Sequence, residues 1–103
     1  MIITVDGLRF GQLIRSTAGR DQNQFYLIQG MVGEKYIQAV DGLKHPNAKP
    51  KKKNVKHVQI MMLVAKEIEA NFLNNEVVMI DTQIVAAIKR LRNQLEEGDR
   101  FHG

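Results

Sequence analysis

Cysteine and tryptophan are both absent from this chain of 103 residues. Without cysteine there is no disulfide staple, no thiolate ligand for zinc and no thiol nucleophile, a composition suited to a reducing compartment. Aromatic residues are few, four Phe and two Tyr. A broad base-stacking platform would therefore leave the core short, and Phe25, Tyr26 and Tyr36 are expected to pack inside. The longest uninterrupted apolar run, Ile60 to Ala65, is far shorter than the ~20 residues that cross a membrane as a helix. Met1-Ile-Ile-Thr-Val shows no basic stretch followed by a long apolar one, so no signal peptide is expected. The glycine-rich phosphate loops and the nucleophile elbow are missing too. His45, His57 and His102 form no HxH or HExxH spacing, which argues against a metal site. Glu96 and Glu97, being adjacent on a helix, do not make an acid–base pair. These absences point to a soluble, cytoplasmic, non-catalytic protein with no cofactor and no membrane contact.

What is present is charge, unevenly placed. Fifteen Lys+Arg against eleven Asp+Glu give a formal +4, yet residues 1–59 carry +6 and residues 60–103 carry −2. The segment from Lys44 to His57 holds six lysines, two histidines and no acid. Such a concentration of one sign attracts polyanions, although a lysine run also keeps a surface loop solvated. The length fits one domain, with 44% apolar residues to build a small core.

Two periodicities divide the chain. From residue 8 to 59 the segments are short, β-like and separated by glycine. Gln12–Ser16, Phe25–Val32 and Tyr36–Val40 read as strands, with a polar loop at 17–23, a turn at 33–35 and a tight turn at Asp41-Gly42. Pro46 to Pro50 is expected to be extended, and Val55 to Gln59 to form a last strand. Several short strands with brief connections indicate a small antiparallel barrel. From residue 60 the pattern becomes helical. Met61, Val64 or Ala65, Ile68 and Phe72 fall on one face, with a stop at Asn74-Asn75. A second helix starts at Asp81 or Thr82, whose side chain can accept from first-turn amides, and carries the stripe Ile84, Ile88, Leu91, Leu95 up to Gly98. The expected organisation is a barrel over 1–59, including a basic loop at 44–57, and a two-helix extension over 60–103.

The segment Gly11-Gln-Leu-Ile-Arg-Ser-Thr-Ala-Gly-Arg-Asp-Gln-Asn-Gln-Phe-Tyr26 resembles the KOW motif, a strand–loop–strand at one edge of an SH3-like barrel. Gly11, Leu13, Ile14, Ser16, Gly19, Arg20 and Asp21 match its pattern. Gln22 departs from it, standing where a basic residue is common, and Asn23 stands where the family usually has glycine. Asparagine tolerates a left-handed backbone better than other non-glycine residues, so the turn can survive. The stretch Asn54-Val55-Lys56-His57 after the lysines, together with Val40-Asp-Gly42, looks like the KOW-containing large-subunit ribosomal protein numbered fourteen in archaea and eukaryotes. The chain looks closer still to a bacterial group, found in Firmicutes, of KOW domain RNA-binding proteins.

That resemblance implies an SH3-like barrel followed by two helices, and RNA binding without catalysis, with ribosomal RNA or the ribosome as target and ribosomal proteins as possible neighbours. Lys49, Lys51, Lys52, Lys53 and Lys56 would neutralise phosphates from a loop beside the barrel edge. Arg15, Ser16, Gly19, Arg20, Asn54 and His57 complete the expected RNA-binding set. Arg20 can fork onto a phosphate or stack on a base, as lysine cannot. Asp21 is expected to accept backbone amides of its own turn. Ser16 either donates to RNA or caps the loop. A rival reading is a protein-interaction module of the translation or transcription machinery, in which Val64, Ile68 and Phe72 with Ile84, Ile88 and Leu91 line a partner groove.

Overall fold

A computed structural model describes residues 6–74 and 81–102, with side chains over 6–70 and 81–97. Five strands form one antiparallel sheet: β1 (Gln12–Ser16), β2 (Phe25–Val32), β3 (Tyr36–Val40), β4 (Lys51–Asn54) and β5 (Val58–Val64). Their order is β4-β3-β2-β1-β5, so β1 is flanked by β2 and by the last strand. Among the described residues β4 and β5 do not pair, and the sheet is open rather than a closed barrel. Helices α1 (Lys66–Asn74) and α2 (Asp81–His102) follow. Neither is long and apolar enough to cross a membrane.

Alternation along the strands buries both faces of the sheet. Leu13, Leu27, Val40 and Met61 point to one side, where they pack with Ala65 and Ile68 around α1 and with Ile84, Ala87, Ile88 and Leu91 of α2. Ile14, Tyr26, Ile28, Ile37, Ala39 and Val58 point to the other and, with Val55, form a second cluster. The helical stripe expected to form a partner groove is therefore covered by the chain's own sheet at Ile68, Ile84, Ile88 and Leu91; the side chain of Phe72 lies outside the described residues. Truncating a fully buried member such as Ile84 costs about 2–5 kcal/mol.

Two close approaches set where the helices sit. A Cβ on Gly11 would lie 2.8 Å from the Ala65 carbonyl oxygen. Gly42, at φ +78°, lies against the backbone of Asp81 and within 2.9 Å of Val85 Cγ2, reckoned from an added Cβ. Any larger residue there would push α2 off the sheet. Arg9 clamps Glu69 with two hydrogen bonds of 2.8 and 2.6 Å, and Arg90 reaches Glu67 at 2.6 Å.

β1, β2 and β3 fall where the sequence places them, while the expected stop at Asn74-Asn75 reaches beyond the described residues. Five expectations are corrected. The chain does not turn helical at residue 60: β5 runs to Val64 because β1 offers it a partner over its length, and the 61/65/68 spacing arises where strand and helix converge on one cluster. Val55–His57 is a 3₁₀ turn capped by Asn54, not a strand. The segment Pro46–Pro50 holds a turn, with Lys49 N–H donating to the Pro46 carbonyl at 2.9 Å. The basic loop of 44–57 contains strand β4, whose lysines pair with β3 in the register Ile37–Lys53 and Ala39–Lys51. Helix α2 passes the expected stop at Gly98, whose penalty of about 1 kcal/mol does not end it. Residues 1–5, 75–80 and 103 lie outside the description.

Candidate nucleic-acid interface

The geometry begins at Asp21, in the loop joining β1 and β2. That loop reverses through Gly19 (φ +88°) and Asn23 (φ +74°), so asparagine does supply the left-handed residue. Its closure rests on Asn23 N–H donating to the Ser16 carbonyl at 2.8 Å. Asp21 does not take backbone amides in its own turn. Its Oδ1 lies 2.9 Å from Ser16 Oγ and 3.1 Å from Lys53 Nζ; its Oδ2 accepts from the Tyr26 hydroxyl at 2.8 Å and meets Lys51 Nζ at 3.1 Å. Burial alone would raise this carboxyl, but the hydrogen bonds from Tyr26, Lys51, Lys53 and Ser16 outweigh it and hold Asp21 well below the usual carboxylate range. Burial, and then the bond to Asp21, push the Tyr26 hydroxyl upward.

Lys53 is a lysine of the basic segment that the fold buries. Only 7% of it is exposed. Its ammonium has three protons to place, and three acceptors surround it: Ser16 Oγ at 2.9 Å, Asp21 Oδ1 at 3.1 Å and the Ala18 carbonyl at 3.2 Å. A buried charge with every donor used is a structural tie between β4 and the β1–β2 loop. Lys53 and the fully buried Ser16 are thus withdrawn from any phosphate-binding surface. Asn54 is committed as well, since its Oδ1 accepts from Lys56 N–H at 2.9 Å to cap the 3₁₀ turn.

The remaining expected residues divide by strand alternation. Lys51 shares the inner face with Lys53 but is about one-third exposed. Lys52 points outward, its Nζ 4.5 Å from the ring centroid of Tyr36. Tyr36 is 38% exposed rather than packed inside, because it heads β3 at the rim; Tyr26 is buried as expected. Phe25 packs half-buried against the helix-side cluster. Arg20, Lys49, Lys56 and His57 are exposed, and so is Gly19 at the loop tip. His57 lends its carbonyl to Thr17 N–H at 2.8 Å. Arg15 stands apart. It follows Leu13 on the helix-covered face, pairs with Phe25, and has a buried Nε with no hydrogen-bond partner among the described residues.

A cleft of about 360 Å³ brings Arg20 and Lys51 together with Lys44 and His45, beside Asp21, Tyr26 and Asp41. Lys44 and His45 were visible in the sequence only as members of a basic run. What assigns them to a site is the turn that follows β3, where Asp41 Oδ1 accepts from both Leu43 N–H and His45 N–H at 2.8 Å. The same contacts turn much of Asp41's acceptor capacity inward. Such a cleft offers charged donors to an anion. Among the described residues, no group of three or more His, Asp or Glu is placed to hold a metal. No protein-family model matches the chain, and no curated protein matches it.

Proposed function

We propose that this chain is a non-catalytic RNA-binding domain of the KOW type, built on an SH3-like barrel and acting on ribosomal RNA or the ribosome in the cytoplasm. The observation that carries the reading is convergence: Arg20 from the KOW-like loop meets Lys44 and Lys51 from the basic segment in one cleft. Lys49, Lys52 and Lys56 stand exposed in that same segment. Lysines so placed neutralise phosphates and release counterions, which gives affinity that falls with salt and little choice of sequence. The left-handed Asn23 and the Ser16–Asp21 contact support the KOW-like loop. Five antiparallel strands, with a 3₁₀ turn ahead of a last strand that pairs back on the first, support the SH3-like barrel. Ribosomal proteins would be its neighbours on the particle.

The test is to cross-link RNA to the tagged full chain in cells, sequence it, and run a sucrose gradient of the same lysate. Enrichment of one ribosomal RNA region, with the protein in the large-subunit peak, is the expected outcome. Protein confined to light fractions without enriched RNA would contradict the proposal.

A further inference from the structure

A second cleft, about 440 Å³, lies between helix α2 and the turn after β3. It shares Gln24, Asp41 and Leu43 with the basic cleft, so the two adjoin. Its far wall is the exposed side of α2, from which Lys89 and Arg92 face the opening. The Arg92 guanidinium carbon lies over the Phe25 ring, 4.5 Å from its centroid, a contact that restrains its position. Acids are present as well, Asp41 at the junction and Glu96 toward the end of α2; Asp41 already accepts two backbone N–H groups, as described above.

At the junction stands Leu43, 73% exposed. An exposed leucine alone means little. This one is held out by a built turn: its own N–H is tied to Asp41, and the turn is anchored from behind. Asn47 N–H donates to Asp81 Oδ1 at 2.7 Å, so the first residue of α2 caps the turn segment rather than its own amides. Gln29 Nε2 reaches the Asn47 carbonyl at 2.6 Å. The groove therefore has cations at both ends, an apolar knob at its waist, and a wall that does not need to be ordered on binding.

We infer that the two clefts form one groove for an unpaired stretch of RNA, in which α2 supplies the second phosphate-binding half through Lys89 and Arg92 and Leu43 contacts a base. This inference rests on the RNA-binding reading and gives the helical extension a part in it. Clefts of this volume have room for single nucleotides, not for a duplex, and unpaired bases are what can splay onto an apolar contact.

The experiment is fluorescence anisotropy of the full chain with a labelled oligouridine of about a dozen nucleotides, titrated at several salt concentrations. Lys89→Ala with Arg92→Gln is expected to lower the slope of log affinity against log salt by about 1.4, since each single-strand phosphate contact contributes about 0.7. Leu43→Ser is expected to weaken binding several-fold at unchanged slope. Because Arg92 packs on Phe25, Lys89→Ala alone is measured beside the pair, with an expected fall of about 0.7. If the α2 variants keep the wild-type slope while Lys52→Ala with Lys56→Ala lowers it, the groove is overturned and the RNA-binding reading stands. If the wild-type chain shows no salt-dependent binding, that reading fails and this inference with it. A blunt RNA duplex of equal length bound as tightly as the single strand would overturn the preference for unpaired RNA.

Discussion

Lys52 and Lys53 are neighbours on β4 and share a side-chain type, yet the fold gives them opposite tasks. Lys53 faces inward beside Ile37, is 7% exposed, and places its protons on Asp21, Ser16 and the Ala18 carbonyl. Lys52 faces outward over the ring of Tyr36. The inner region around Asp21 ties an edge strand to the loop between β1 and β2. The outer region presents cations to solvent, where they also discourage pairing of the β4 edge with another chain. Strand phase thus separates a buried lysine from its exposed neighbour, and composition alone cannot tell them apart.

The sharpest way to break this comparison is to remove the inner carboxylate. Asp21→Asn leaves the buried Lys53 ammonium without its countercharge and should cost about 3 kcal/mol, read from the denaturant midpoint. Lys52→Ala should change stability by no more than about 0.5 kcal/mol. Equal losses in the two variants would end the distinction.

Acid sharpens it next. Asp21 is held below the usual carboxylate range, so its contribution is fully present above an unfolded value of about 4 and is lost as pH falls through the lower folded value. Glu67 and Glu69 are also lowered, Glu67 by its own backbone N–H and Arg90 against the opposing effect of burial, and Glu69 chiefly by its hydrogen bond from Arg9. They add to the same acid limb in every variant. The gap in stability between wild type and Asp21→Asn should therefore narrow as pH is lowered below about 4, whereas the gap for Lys52→Ala should not follow it.

Smaller again is Tyr26→Phe, which keeps the buried ring but removes the donor to Asp21 Oδ2. A loss of about 1 kcal/mol is expected in the same unfolding measurement. The smallest effect belongs to the outer face. Tyr36→Leu, which removes the ring under Lys52, should cost about 0.5 kcal/mol, measured in a double-mutant cycle with Lys52→Ala.

The strands β1, β2 and β3 were legible in the sequence because their β-branched and aromatic runs are bounded by glycine turns, and Asn23 was legible because few residues adopt a left-handed backbone. β5 was not. Its run from Ile60 to Val64 is apolar throughout, so period two and period 3.6 are both satisfied, and pairing with β1 decides between them. Arg20 and the lysines were legible as charge. The withdrawal of Ser16 and Lys53 was not, because it depends on Asp21 meeting a strand thirty residues further along the chain. Lys44 and His45 likewise join the cleft only through the turn that Asp41 closes.

The measurement that bears most directly on the central claim is the salt dependence of RNA affinity for Lys49→Ala/Lys52→Ala/Lys56→Ala against wild type, with melting followed on the same samples. The account predicts a slope lower by about 2, at about 0.7 per lost phosphate contact, with the melting temperature unchanged. An unchanged slope, or a melting temperature that falls as far as that of Asp21→Asn, would contradict it.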